Sequence, residues 1–286
     1  MKEHQEIDLS TPVKKRSKNP DELSRLCDRL NIVDLFVSLQ GEGIYVGMPS
    51  LFVRVSGCNL RCCFKDTVCD TAYSSFSPEK GRFGKDDVVA MLQKNPNVAD
   101  IVFTGGEPLM FGDELDDLIE YIGCRTDMDY RITIEPNGTF GPLRHSIDLY
   151  SISPKLSTSI PVPDKPYHYI HDGKEVTKTF TKAEVEKLNE TRYNPEAIAA
   201  LIDDAEFQLK FVYCGPESVH DIDMLVDRLR DMGRTIYPDD IMLMPEGITA
   251  EQINKNGREA AKICIERGWR LADRLHIRLW GDKRGV

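Results

Sequence analysis

From residue 32 onward, short apolar runs rich in β-branched and aromatic residues alternate with segments of helical periodicity. The runs predict strands at 32–38, 50–56, 100–105, 131–136, 148–154, 207–213, 240–245 and 275–280. Helical spacing of apolar residues predicts helices at 86–94, 114–124, 218–232 and 250–267. A Thr249/Gln252 capping box and Gly268 fit the two ends of the last helix. Because strands and helices alternate, we predict an α/β fold with parallel strands and crossover helices.

The alternation of strands and helices begins only near residue 32 and has one long interruption, and these two features suggest the domain organisation. Residues 1–30 are charged and weakly patterned, so we predict an N-terminal extension with a short helix over 21–30. The folded domain then spans residues 31–286. Within it, residues 161–206 are rich in turn-forming residues before they become helical, and we interpret them as an insertion over the core.

Charge and hydropathy exclude two classes of partner. Acidic residues outnumber basic ones by 47 to 37, and a formal charge of -10 repels a phosphate backbone. We therefore expect no nucleic-acid partner. The first 20 residues are polar and no apolar run reaches the length of a membrane span, so we expect a cytoplasmic protein without a membrane partner.

The eight cysteines are unevenly distributed. Four fall in one segment, GCNLRCCFKDTVCDT at 57–71: Cys58, Cys62, Cys63 and Cys69. The others are single, and we predict that they are small core residues: Cys27, Cys124, Cys214 and Cys264. A disulfide framework is typical of small secreted domains, so thiols or metal ligands are the better interpretation here.

The cysteine segment is suited to an iron–sulfur cluster. Three thiolates on one polar loop can hold a four-iron cluster and leave one iron open for an external ligand. Such a cluster can deliver an electron to a bound sulfonium and generate a carbon radical. Structural zinc is the alternative, but the adjacent Cys62 and Cys63 fit one tetrahedral zinc poorly and paired C-x-x-C knuckles are missing.

Polar or glycine-rich clusters follow several predicted strands: TGGEP, EPNGT, SPK and MPEG. In parallel α/β folds, active sites collect at the carboxyl ends of the strands. We therefore expect these clusters to converge on one pocket, although each cluster alone would also fit a simple turn.

Nine motifs occur in order along most of the chain: QGEG (40–43), FVRVSGCNLRC (52–62), CDTAY (69–73), TGGEPL (104–109), EPNGT (135–139), SPK (153–155), LKFV (209–212), MPEG (244–247) and RLHIRLWGDKRGV (274–286). With them the chain resembles the 7-carboxy-7-deazaguanine synthase (QueE-like) family of the radical S-adenosylmethionine (SAM) superfamily. The GGEP motif and a cysteine triad alone would indicate only the superfamily. The QGEG, CDT and C-terminal motifs indicate this family.

The resemblance implies a fold and a reaction. The fold is a modified partial (β/α) barrel of the radical SAM type, usually a homodimer. The reaction is that of a lyase of 7-deazapurine (queuosine-type) biosynthesis, which converts 6-carboxy-5,6,7,8-tetrahydropterin to 7-carboxy-7-deazaguanine with loss of ammonia. The implied cofactors are a 4Fe-4S cluster, S-adenosyl-L-methionine and Mg2+, with an electron donor such as flavodoxin or ferredoxin.

The resemblance also assigns roles to residues that match the family motifs. It assigns cluster ligation to Cys58, Cys62 and Cys69, and magnesium ligation to Thr71. The matching SAM contacts are Gly105, Gly106, Glu107, Ser153, Lys155, Met244, Pro245, Glu246 and Gly247. The matching substrate contacts are Leu39, Gln40, Gly41, Glu42, Arg54, Thr104 and Val286. His276 lies in the predicted strand 275–280, and we assign it a structural role.

Two departures from the family pattern affect these assignments. Six residues separate Cys62 from Cys69, and we interpret four of them as an insertion because CDTAY then restores the family pattern. Cys63 is then a spare thiol or an alternative ligand. Pro136 replaces the family's threonine in ETNGT, which removes a hydroxyl and a backbone donor.

Two other functions remain as alternatives. A glycyl-radical activating enzyme would share the cluster and GGEP but does not explain QGEG or CDT. A zinc-stabilised binding protein would use the same cysteines without turnover.

Overall fold

The computed structural model describes residues 28–65 and 67–286. Twelve strands lie in these ranges: β1 (Ile32–Leu39), β2 (Pro49–Val55), β3 (Cys63–Phe64), β4 (Thr67–Val68), β5 (Asp100–Gly105), β6 (Arg131–Ile134), β7 (Leu149–Ile152), β8 (Tyr167–His171), β9 (Lys174–Lys178), β10 (Glu206–Tyr213), β11 (Ile241–Pro245) and β12 (Arg270–Leu271). The α-helices in the same ranges are α1 (Ala72–Ser75), α2 (Lys85–Lys94), α3 (Gly112–Arg125), α4 (Lys182–Arg192), α5 (Pro195–Asp204), α6 (Glu217–Asp231), α7 (Ala250–Arg267) and α8 (Leu275–Trp280). Short 3-10 turns occur at Pro108–Phe111, Ser157–Ser159 and Pro238–Asp240.

Eight of these strands form one sheet in the order β1-β2-β5-β6-β7-β10-β11-β12. β1 is antiparallel to β2, and each later strand is parallel to its neighbour. Across the sheet, the parallel strands occur in their order along the chain. This order is expected when every crossover connection has the same hand. The predicted α/β class and the partial-barrel architecture are confirmed.

Seven of the eight predicted strands are present in the sheet, but the prediction for 275–280 is wrong. That segment is α8, which ends where the backbone N–H of Gly281 donates to the carbonyl of Ile277. Ile277 is buried while Leu279 and Trp280 are exposed. Alternation over only six residues fits one helical turn as well as a strand, so periodicity could not decide between them.

The four predicted helices are present as α2, α3, α6 and α7. The capping box of α7 forms as predicted, because the side chain of Thr249 accepts a hydrogen bond from the Gln252 backbone at 3.2 Å. Gly268 ends the helix in the left-handed region, with φ 71°. The short helix predicted over 21–30 falls mostly outside the described residues, and 28–30 form a turn.

Residues 161–206 contain two structurally different parts. The first is the β8/β9 hairpin and α4, which pack with Cys63 around Tyr167 and Phe180 in a small core of their own. The second is α5, whose Ile198 and Leu201 join the main hydrophobic core. Helix α5 therefore occupies the crossover from β7 to β10, while the preceding residues lie beside the cysteine segment.

The single cysteines only partly match the prediction. Cys214 and Cys264 are buried, as small core residues should be. Cys124 is exposed near the end of α3, so the prediction is wrong for this residue. Cys27 lies outside the described residues. None of the helices in the described ranges is both long enough and apolar enough to cross a bilayer.

A buried carboxylate connects three strands at the end of the sheet opposite the strand-end motifs. Asp100 begins β5 and is 1% exposed. It accepts hydrogen bonds from the Ser50 hydroxyl at 2.7 Å and the Thr133 hydroxyl at 3.0 Å. Burial raises the pKa of Asp100, and the two hydroxyls oppose that rise. The three side chains fix β2, β5 and β6 in register.

This arrangement predicts unequal effects for two serines that face each other across β1 and β2. We expect Ser50→Ala to lower the free energy of unfolding by about 1–3 kcal/mol, because it leaves a buried carboxylate oxygen without a donor. Ser38→Ala is the control, since the buried Ser38 hydroxyl has no partner among the described residues. Denaturant unfolding of both variants tests this, and equal stabilities would contradict it.

Candidate active site

A cavity of about 650 Å³ lies at the carboxyl ends of the parallel strands. Its wall combines residues of the QGEG turn, the cysteine segment, the TGGEP, EPNGT, SPK and MPEG clusters, and the C-terminus. The strand-end motifs therefore converge on one pocket, as their positions in the sequence predicted.

Most residues assigned by resemblance line this cavity: Leu39, Gln40, Gly41, Glu42, Arg54, Cys62, Cys69, Thr71, Thr104, Gly105, Gly106, Ser153, Lys155, Met244, Pro245, Glu246, Gly247 and Val286. Two assigned residues lie outside the lining, Cys58 and Glu107. Cys58 is partly buried, and its sulfur accepts a weak hydrogen bond from the Leu60 backbone at 3.4 Å.

The cysteine segment folds into a small hairpin between Cys62 and Cys69, and Phe64, Thr67 and Val68 of this hairpin also line the cavity. β3 and β4 pair as a small antiparallel hairpin, and the Cys69 backbone N–H then donates to the Cys62 carbonyl at 2.9 Å. Cys69 thus returns beside Cys62, and both line the cavity. Cys63 is 1% exposed and packs in the separate core with Tyr167 and Phe180. This geometry supports the interpretation of a four-residue insertion.

The thiols occupy an environment that disfavours their charged form. Burial raises the pKa of Cys58 to about 12 and that of Cys69 to about 11, and the neighbouring Cys62 adds to both shifts. Bound metal reverses this preference, because metal ligation requires thiolates and displaces their protons. Two thiols in the cavity wall, Cys62 and Cys69, with Cys58 close behind them, fit an iron–sulfur cluster with an accessible iron.

A closed zinc site does not fit the same geometry. Among the described residues, the only three His, Cys, Asp or Glu side chains with ligand atoms within 4.8 Å of one another are Glu79, His171 and Asp172. The cysteine sulfurs therefore do not form the compact group of ligand atoms that a closed tetrahedral site requires.

The two glycines of TGGEP are required by close backbone packing. A Cβ atom on Gly105 would lie 2.2 Å from the Val55 carbonyl oxygen, and one on Gly106 would lie 2.0 Å from the Gly57 carbonyl oxygen. Gly105 also has φ 134°, which favours glycine. The glycines thus let the end of β5 approach the backbone just before the cysteine segment.

Glu107 is fully buried behind the cavity. Its carboxylate accepts backbone hydrogen bonds from Leu109 at 2.9 Å and from Asn137 at 2.6 Å. Burial raises its pKa to about 7, although the two amide donors oppose that rise. In this structure Glu107 joins TGGEP to EPNGT, and its role as a cofactor contact stays a prediction.

Glu135 is a polar residue of the cavity that the sequence-based set did not include. It accepts hydrogen bonds from the Thr104 hydroxyl at 2.8 Å and from the Gln40 amide at 3.3 Å. The Lys210 ammonium lies 3.8 Å from it. Glu135 therefore connects two predicted substrate contacts, and the EPNGT motif was the available signal for it.

Two cations hold Glu42 in place. The Lys210 ammonium donates to one carboxylate oxygen at 2.6 Å, and Nε of Arg274 donates to the other at 3.1 Å. Although burial alone would raise it, these charges hold the pKa of Glu42 well below its usual range. Glu42 is thus an anion fixed in orientation.

Arg274 has partners in three directions. Besides Glu42, it donates to Asp70 at 2.6 Å and to the Gly247 carbonyl at 2.7 Å. Its side chain is only 10% exposed. Sequence reasoning quoted this residue within a motif but assigned it no role, because its partners are far away along the chain.

His276, which the sequence analysis left out of the site, lines the cavity. A Cβ atom on Gly41 would lie 2.0 Å from the imidazole Nδ1, so the ring packs directly on the QGEG turn. Burial lowers the pKa of His276, with Glu42 opposing the shift. The helical conformation of α8, rather than the predicted strand, directs this ring inward.

An ion-pair network around Asp34 positions Arg54 and the C-terminal segment. Nε of Arg54 lies 3.4 Å from the Asp34 carboxylate, and Nε of Arg284 donates to the same group at 2.8 Å. The Arg284 guanidinium also lies 3.6 Å from the centre of the Tyr73 ring. These contacts hold the last residues of the chain against the cavity, where Val286 forms part of the wall.

Comparisons with known proteins agree with this site. A family model described as "4Fe-4S single cluster domain" matches residues 39–139. The chain is 37% identical over 254 residues to a 7-carboxy-7-deazaguanine synthase of Halobacterium salinarum, covering 88% of this chain and 91% of the relative. It is 34% identical over 277 residues to the same-named protein of Rhodopirellula baltica, covering 96% of each. The chain belongs to the 7-carboxy-7-deazaguanine synthase family.

A solved structure of the 7-carboxy-7-deazaguanine synthase family supports the fold. The crystal structure of QueE from Escherichia coli matches with a TM-score of 0.57 and 21% sequence identity, covering 90% of this chain and 98% of that chain. The family predicted from the motifs is confirmed by the two relatives, and the matched family model agrees with the predicted 4Fe-4S cluster. The roles of individual residues stay predictions.

The contacts of Arg274 predict a large loss of stability on substitution. We expect Arg274→Gln to lower the free energy of unfolding of the metal-free protein by about 3–5 kcal/mol, because it removes one of the two cations that pair with the largely buried Glu42. Arg278→Gln, in helix α8 just after Arg274, is the control: its surface contacts with Asp273 and Asn254 should contribute below about 1 kcal/mol. Similar losses in the two variants would contradict the central role of Arg274.

Proposed function

We propose that this chain catalyses the conversion of 6-carboxy-5,6,7,8-tetrahydropterin to 7-carboxy-7-deazaguanine with release of ammonia. Family membership over most of the chain supports the reaction. The observation that carries the proposal is one cavity that joins two of the cysteines to a wall of fixed carboxylates, an arginine and an amide. When bound, the cluster supplies the electron that cleaves S-adenosyl-L-methionine and begins radical chemistry.

In this proposal the cysteine end of the cavity holds the cofactors. Cys58, Cys62 and Cys69 ligate the cluster. Gly105, Gly106, Ser153 and Lys155 contact the methionyl part of S-adenosyl-L-methionine, and 244–247 contact its adenosine. The Lys155 ammonium, which donates to the Ser153 hydroxyl at 2.6 Å, supports this role because it offers positive charge to a carboxylate.

The opposite wall binds the pterin. Arg54 suits the substrate carboxylate, since a guanidinium binds a carboxylate through two parallel hydrogen bonds and Asp34 holds its Nε. Gln40, Thr104 and Glu135 already form one hydrogen-bonded row, which can match donors and acceptors on a heterocycle. The fixed anion Glu42 adds directionality to this wall, because it cannot rotate away from its two cations.

Magnesium belongs to the proposal through Thr71. Thr71 lines the cavity together with the proposed substrate contacts, and its hydroxyl, 3.3 Å from the Cys69 sulfur, would hold the cation. A hydroxyl oxygen suits magnesium, which prefers hard oxygen ligands and keeps several waters.

We expect Thr71→Ala to raise the magnesium concentration needed for half-maximal activity by about tenfold or more, because one ligand is lost. Thr177→Ala, on the exposed β9 strand, is the control and should leave the magnesium dependence unchanged. Activity measured across a magnesium series with both variants tests this. An unchanged series for Thr71→Ala would remove this residue from the magnesium site.

Resemblance to the family supports the remaining parts of the proposal. These are a homodimer, an electron donor such as flavodoxin or ferredoxin, and a cytoplasmic location. The glycyl-radical activating enzyme is not favoured, because the matched relatives cover nearly the whole chain. A zinc-stabilised binding protein is not favoured, because the cysteines do not form a compact site.

The function is tested by anaerobic reconstitution with iron and sulfide, followed by incubation with S-adenosyl-L-methionine, reductant, magnesium and the pterin. Mass spectrometry should detect 7-carboxy-7-deazaguanine. If S-adenosyl-L-methionine is cleaved while the pterin remains intact, the superfamily assignment stands and the substrate is wrong.

A pair of cysteine variants tests the ligand assignment in the same assay. We expect Cys69→Ala to lose the cluster absorbance and the activity, because Cys69 lines the cavity. Cys63→Ala should keep both, because Cys63 is packed in a separate core. The reverse result would place Cys63 in the ligand set and refute the interpretation of a four-residue insertion.

A further inference from the structure

Arg192, the last residue of α4, is buried beside the cysteine segment. It is 6% exposed. One terminal nitrogen, Nη1, donates to the Ser159 hydroxyl at 2.7 Å and to the Cys62 sulfur at 3.4 Å. Its Nε and Nη2 atoms have no hydrogen-bond partner among the described residues. No carboxylate in the described part of the chain pairs with this guanidinium.

This environment is unusual for an arginine. A buried cation is costly unless a counter-charge and hydrogen-bond acceptors surround it. Ser159 is neutral, so the potential source of negative charge in contact with Arg192 is the Cys62 sulfur. The three N–H groups on Nε and Nη2 are available to a negative partner, which metallated cysteines would supply.

We propose that Arg192 is a positioning residue that donates to the Cys62 thiolate and makes one-electron reduction of the cluster easier. The inference rests on the proposed ligand role of Cys62. Reduction adds one electron from an external donor and breaks no bond, so the cluster gains one negative charge. A fixed cation and hydrogen bonds to ligand sulfur favour the more negative state, which raises the reduction potential.

The inference also gives a function to residues that precede α5 in the segment 161–206. Helix α4 and the β8/β9 hairpin pack around a small core that includes Cys63. That packing fixes the end of α4 next to the cysteine hairpin and brings Arg192 to Cys62. This part of the segment therefore delivers a charge to the cluster end of the cavity.

The test is a reductive titration of the reconstituted protein with dithionite, followed by electron paramagnetic resonance of the reduced cluster. For Arg192→Met we expect about a tenfold lower ratio of reduced to oxidised cluster at a fixed solution potential, a shift of ~59 mV for one electron. Lys187→Met is the matched control, because it removes one exposed cation from the same helix. A midpoint for Arg192→Met equal to that of the control would overturn the inference.

A second variant keeps the test decisive if Arg192→Met does not fold. Arg192→Gln is neutral but retains a hydrogen-bond donor for Ser159, and it should show a shift in the same direction. If either variant lowers only the unfolding midpoint of the metal-free protein while the potential is unchanged, the role is structural and the inference fails. If the wild-type chain takes up no cluster, the proposed function fails and the inference fails with it.

Discussion

The Arg274 guanidinium connects three turns that are distant in the sequence. It reaches Glu42 of the QGEG turn, Asp70 next to Cys69, and the Gly247 carbonyl of the MPEG turn. A planar fork with five donors can satisfy three such directions at once, whereas a lysine presents a single point charge. One buried side chain therefore connects the QGEG turn, the cysteine segment and the MPEG turn.

Much of the fold could be predicted because burial of one or both faces of a helix or strand imposes a regular spacing of apolar residues along the sequence. Strands β2, β5 and β11 read as apolar runs, since both faces of the parallel sheet are covered. Helix α7 was marked by its capping box and Gly268. The conformation of residues 275–280 could not be predicted in this way, because six residues are too few to distinguish helical spacing from strand alternation. What fixes them as a helix is tertiary contact, including the Leu275 N–H bond to the Gly41 carbonyl.

The candidate site was predictable as a set of chain segments but less so as a set of side-chain roles. Polar clusters at strand ends had to meet, because the parallel strands share one edge. Whether a carboxylate faces the cavity or the core depends on the local backbone direction. Glu107 is buried in the core, whereas Glu135 lines the cavity. Lys210 and Arg274 were missed because their importance comes from partners more than 160 residues away.

The small hairpin of β3 and β4 brings Cys62 and Cys69 close together in space although they are seven positions apart in the sequence. Because its strands pair with each other and the Cys69 N–H donates to the Cys62 carbonyl, the two thiols stay close together although six residues separate them. The hairpin can therefore vary in length without moving either thiol. Search patterns that demand a fixed cysteine spacing would overlook such chains, and allowing a self-paired spacer would recover them.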